Sequence, residues 1–175
     1  MSNIPKSKRS KSKLETQHLA YQIRRVVVYS LSADFGYSKE RMQADIQKRY
    51  SSSTEEQLEK KMKAAEDFYA DFIKLEREEV SKLCQGICRH LRMANTIYPR
   101  RVVEWDERRL QMDKALEYCN ALQDELQYIA DTLPSDKNKY CNIVLQIQEL
   151  FNKIKSLRSS DNRFLKKIEG VENEG

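Results

Sequence analysis

The stretch VVEWDERRLQMDKALEYCNALQDELQYIADTL, residues 102–133, decides the fold. Trp105, Met112, Leu116, Cys119, Leu122, Leu126, Ile129 and Leu133 recur in it at helical spacing. One face of a long helix is therefore apolar and the remainder charged. Upstream, Pro99 closes another helix and Arg100-Arg101 form the connection. That helix is predicted to start at Ser53 or Thr54, with Glu55 and Glu56 at the positive end of its dipole. Its stripe is Leu58, Met62, Ala65, Phe68 or Tyr69, Phe72, Val80, Leu83, Ile87, Leu91, Ala94 and Tyr98. Gly86 is the one breaker, and charges occupy the stripe over residues 75–79, where a kink is expected. Downstream, Pro134-Ser135-Asp136 make a turn. A last long helix then carries Tyr140, Ile143, Ile147, Leu150, Ile154 and Leu157, until residues 159–162 interrupt it.

The first helix starts near Ser12, an N-cap with Glu15 three residues on, and presents Ala20, Ile23, Val27 and Leu31. Val26-Val27-Val28 has β-propensity, but the chain offers no partner strand. Gly36 supplies the left-handed stop, and Ser38 is expected to cap a short polar helix through Ile46.

With 4 Gly and 3 Pro in 175 residues, neither the turns of a β sandwich nor the Gly-rich loops of a βαβ enzyme are available. Hydrophobic residues at 39% still suffice for a core, despite 34% charged residues and a mean hydropathy of −0.79. The expected fold is all-α: an up-and-down four-helix bundle over residues 14–168, with long helices and a short extra helical segment. A disordered basic arm, residues 1–13, and a loose acidic tail, residues 169–175, flank it.

Charge is segregated. Lys6, Lys8, Arg9, Lys11 and Lys13 supply the entire net charge of +5, since residues 14–175 carry 27 charges of each sign. Within the body, residues 80–109 hold 7 basic against 3 acidic residues and 137–167 hold 8 against 2. Residues 54–79 and 110–136 are acidic instead, with 5 against 9 and 1 against 6. Such blocks form opposed surface patches and favour charged or polyanionic partners. Around Pro99, Arg89, Arg92, Arg100, Arg101, Arg108 and Arg109 are brought to one end of the bundle, where phosphate recognition is expected. Ion pairs to Glu104, Asp106 and Glu107 are the competing use for about half of them. Tyr98, Trp105 and Tyr21 are candidates to stack on unpaired bases, against the plainer role of core residues.

Enzyme chemistry is not expected. His18 and His90 belong to no nucleophile motif, and no phosphate loop or dinucleotide fingerprint occurs. A di-metal bundle needs Glu-x-x-His on two helices, and that pattern is not expected anywhere in the chain. Cys84 and Cys88 share a helical face, but His90 does not, so small buried hydrophobes explain them better than zinc ligands. No metal or cofactor is expected. The N-terminus lacks the apolar segment of an export signal, and no run of about 18 apolar residues occurs. A cytoplasmic protein with reduced thiols and no membrane span is the expectation.

Several fragments form an ordered set: Ile4-Pro5-Lys6-Ser7-Lys8-Arg9, Ser12-Lys13-Leu14-Glu15, Ala94-Asn95-Thr96-Ile97-Tyr98-Pro99, Cys119-Asn120, and Leu157-Arg158-Ser159-Ser160-Asp161-Asn162-Arg163. In them the chain resembles the accessory variability determinants, four-helix-bundle accessory proteins of diversity-generating retroelements. The segment from Gly36 to Ser53 is longer than in the compact family pattern. The resemblance implies a homo-oligomer, a pentamer in the family. It implies a reverse transcriptase and its template RNA or RNA/DNA as partners, with support for mutagenic copying without catalysis. Arg158 and Arg163 join the basic arm as nucleic-acid candidates on this ground. The alternative from charge blocks alone is an adaptor bundle that assembles proteins without nucleic acid.

Overall fold

The computed structural model describes residues 13–172. It is all-α, and the single β-type contact among these residues is an isolated bridge between Tyr37 and Ser135. The helices are α1 (Lys13–Tyr29), α2 (Lys39–Arg49), α3 (Glu55–Thr96), α4 (Val102–Thr132), α5 (Asn138–Ser160) and α6 (Asn162–Glu172), with a 3-10 turn at Leu31–Ala33. The expected cap at Ser12 lies outside the described residues. Helix α6 continues to Glu172, past the point where the sequence places a loose tail.

Local chemistry sets the ends. The Ser38 hydroxyl accepts from the Arg41 N–H at 3.2 Å and starts α2. Thr54 and Gln57 cap α3 reciprocally. Phe35 and Gly36 both take positive φ, 50° and 71°. The Phe35 carbonyl accepts from the Tyr140 hydroxyl at 2.6 Å, which ties this turn to α5, and burial raises that phenol to about 12.

Helix α1 packs on α3 and α5, and α4 packs on α3 and α5. Polar contacts fix the register. Asn95 donates to Gln17 at 3.2 Å, Arg77 donates to the Ser32 carbonyl at 2.9 Å, and Lys153 meets Glu15 at 3.1 Å. The core lies along the shared seam, with Ile23, Val27, Val80, Ile87, Leu91, Leu122, Ile129, Ile147 and Ile154 buried. Helix α3 is about 63 Å long at 1.5 Å per residue and α4 about 46 Å, so α3 overshoots, and α2 packs on it. Gly86 lets the Tyr118 ring approach the α3 backbone; a Cβ there would sit 2.6 Å from the ring.

Three charged residues lie on the apolar stripes. Helix α3 is continuous as helix through residues 75–79, and Glu76 carries its stripe from Phe72 to Val80 and is buried. Its carboxyl is pushed up to about 7, first by burial and then by its hydrogen bond with Glu125 of α4. Arg108, in the gap between Trp105 and Met112, is wholly buried, as is Asp161, one step beyond Leu157. The Arg108 Nε donates to Asp161 Oδ2, and its Nη1 donates to the Ala94 and Ile97 carbonyls, the latter at 3.0 Å. One guanidinium thus caps the C-terminus of α3 from α4 and pins the α5–α6 joint. The Trp105 indole adds a bond to the Asp161 carbonyl at 3.1 Å.

These buried charges should dominate the response to mutation and to pH. Arg108→Met leaves a buried carboxylate uncompensated and should cost about 3–5 kcal/mol in urea denaturation. The double change Arg108→Met with Asp161→Leu should recover most of that loss, because it removes both charges. Glu76 has a folded pKa above its unfolded value of 4.5, so the stability it contributes is present at low pH and fades as pH rises through about 7. Stability should fall by on the order of 2 kcal/mol between about pH 5 and pH 8, and Glu76→Gln should flatten that slope.

Candidate nucleic-acid interface

Because α3 ends at Thr96 and α4 begins at Val102, the Pro99 joint brings the arginines of both helices to one end. The Pro99 side is also where α1 begins: Gln17 of α1 meets Asn95, and Tyr21 accepts from Arg92 at 2.9 Å. Bonds from Gln17 and then Arg92 hold the Tyr21 phenol below its ordinary value. Helix α6 packs against α4 and α5 at this end and brings Arg163, Lys166 and Lys167 with it.

The arginines expected on this surface separate into three groups. Arg89, Arg100 and Arg163 are exposed and have no carboxylate partner among the described residues. Arg92, Arg101 and Arg109 reach solvent while engaged. Arg92 holds Tyr21, Arg101 pairs with Glu104 at 3.0 Å, and Arg109 bonds Asn162 at 2.8 Å with its guanidinium 4.5 Å from the Trp105 ring centre. Glu104 also accepts from the Arg100 and Arg101 N–H groups at 2.8 and 3.2 Å. The Arg100 backbone bond, then the Arg101 side chain, lowers its pKa.

Arg108 forms the third group and corrects the sequence reading. Expected among the phosphate-binding arginines, it is instead 0% exposed, and its guanidinium serves the fold. Arg158 is half-buried and donates to Asp113 at 3.0 Å, so its charge is answered inside the protein. Lys6, Lys8, Arg9 and Lys11 lie outside the described residues, and Lys13 opens α1. Lys166 and Lys167 were not among the expected site residues. They join it because α6 folds back, which their spacing from Arg163 hints at without requiring.

Three of the four cysteines and His90 are occupied structurally, while His18 and Cys141 are exposed. Cys84, Cys88 and Cys119 are buried, and burial raises all three thiols, Cys84 and Cys119 to about 12. Among the described residues, no group of three or more His, Cys, Asp or Glu is placed to hold a metal ion. The Glu-x-x-His spacing does occur once, from Glu15 to His18 on α1, where Glu15 holds Lys153. His90 Nδ1 lies 2.7 Å from Gln111 Oε1, and its ring stacks on Tyr118. A surface groove of about 400 Å³ opens beside that pair, lined by Leu83, Lys114, Glu117 and Ala121 as well. Among the described residues, no helix is long and apolar enough to cross a membrane.

No family model, curated protein or solved structure matches the chain.

Proposed function

We propose that this is a non-enzymatic, RNA-binding accessory bundle, which engages a retroelement reverse transcriptase and its template RNA to support mutagenic copying. The observation that carries the RNA part is a coincidence of place. The start of α1, to which the basic residues 6–11 are joined, lies at the same end as the solvent-facing Arg100, Arg101, Arg109 and Arg163. Cations concentrated on one end neutralise phosphates and release counterions. The retroelement part rests on the resemblance in the quoted fragments.

The architecture within this reading is an up-and-down four-helix bundle. Each of α1, α3, α4 and α5 touches two of the others, and the polar pairs set the start of α1 beside the ends of α3 and α5. The short extra segment is α2, and α6 is the addition that closes the basic end. The protein works in the cytoplasm with reduced thiols, without cofactor, as a homo-oligomer for which the resemblance gives five copies. Val26 and Tyr29, three apart on α1 and 41% and 82% exposed, offer apolar surface for a second copy.

Two measurements test these points. Removing residues 1–12, and separately changing Arg100, Arg101 and Arg109 to Gln, should each weaken binding to structured RNA. The slope of log affinity against log salt should flatten by about 0.7–0.9 for each phosphate that is no longer neutralised. Both variants should stay folded, since residues 1–12 carry no apolar stripe, the three arginines reach solvent and Arg108 is left in place. Wild-type affinity and slope in both would leave the adaptor reading, with charge blocks serving protein partners. Light scattering should show an oligomer that Val26→Glu with Tyr29→Glu converts to a smaller species; a monomer in the unmodified protein refutes self-association.

A further inference from the structure

Besides the buried Phe164, the basic end carries Tyr21, Tyr98 and Trp105, and their surroundings separate them. Trp105 is half-buried, its N–H donates to the Asp161 carbonyl, and the Arg109 guanidinium already lies over its ring. Tyr21 has its hydroxyl fixed by Gln17 and Arg92. Tyr98 differs from both: it is 65% exposed, and its ring meets Phe164 edge-to-face at 5.4 Å.

Its backbone is stiff. The residue before a proline is confined to extended conformations, and Pro99 is itself buried. Phe164 is buried and supports the ring from α6. A large aromatic face is therefore held out to solvent at little further entropic cost on binding. Two arginines of this end that lack a carboxylate flank it. Arg100 follows two residues later, and the Arg163 guanidinium lies 5.2 Å from the Phe164 ring centre.

We infer that the basic end takes single-stranded RNA, with an unpaired base stacked on Tyr98 and its neighbouring phosphates held by Arg100 and Arg163. The inference rests on the RNA reading above and narrows it. A duplex keeps its bases stacked on each other and offers such a ring nothing but its outer surface, whereas a loop or single strand offers a free base face. Charge alone attracts either form. The exposed ring beside guanidiniums without carboxylates is what discriminates.

Binding of a short fluorescein-labelled single-stranded RNA, and of the same strand annealed to its complement, is to be measured by anisotropy with the full chain. The unmodified protein should prefer the single strand. Tyr98→Ala should weaken single-strand binding by about 5- to 150-fold, the range for loss of one stacked base, and leave duplex binding unchanged. Tyr98→Phe should retain the preference, and Tyr98→Leu should lose it, which separates the π face from apolar bulk. Leu also guards against a folding defect in the Ala variant, since it keeps contact with Phe164. Equal binding of both forms, or an unaltered single-strand affinity in Tyr98→Ala and Tyr98→Leu, overturns the inference while leaving RNA binding intact. No binding of either form at low salt overturns the RNA reading as well.

Discussion

The Arg108–Asp161 pair is the constraint on which the rest of the molecule depends. A wholly buried guanidinium must meet its donors' requirements inside the protein, because an unpaired buried charge costs several kcal/mol. Arg108 Nε and Nη1 do so with a carboxylate at the α5–α6 joint and two carbonyls at the end of α3, while its Nη2 has no hydrogen-bond partner among the described residues. Three separate parts of the chain are thereby held at one point. The joint residues Tyr98 to Arg101 follow directly from the carbonyl that Arg108 binds, so their placement inherits its rigidity. Buried ion pairs are weak evidence for stability in themselves, and a hydrophobic replacement often serves as well. What this pair adds is direction: an apolar pair would bury the same area without choosing which carbonyls to cap.

The opposite end is held by different chemistry. There Tyr140 bonds the Phe35 carbonyl, Ser38 N–H donates to the Pro134 carbonyl at 3.0 Å, and Arg41 donates to the Ser135 carbonyl at 2.7 Å. The turn after α1 is thereby bound to the turn between α4 and α5 by backbone acceptors. One end uses its polar groups to join loops, and the other leaves Arg89, Arg100 and Arg163 without carboxylates among the described residues.

Glu76 shows the same principle with the opposite outcome. It lies on the buried stripe of α3 and meets another acid, Glu125, so the protein holds a proton there that an exposed glutamate would have lost. The seam between α3 and α4 is thus tuned by pH.

The helix starts and stops at Ser38, Thr54, Pro99 and Pro134 were legible because caps and prolines act locally, within a turn of the backbone they terminate. The stripes of α1, α4 and α5 were legible because burial repeats with the helix. Three charged residues escaped that reading, although each sits midway in a double-length gap: Glu76 between Phe72 and Val80, Arg108 between Trp105 and Met112, Asp161 between Leu157 and Phe164. Periodicity alone puts all three on the inner face; assuming that charges belong in water hides it. The sequence by itself therefore determined α1 to α5, their order and the basic character of the Pro99 joint, but not the helix α6. Only the tertiary structure decided that Arg108 faces Asp161 while Arg100 faces solvent, and that α6 brings Lys166 and Lys167 to the same end. The reason is physical: a charge's role depends on which partner reaches it across space, and that partner lies 53 residues away for Arg108.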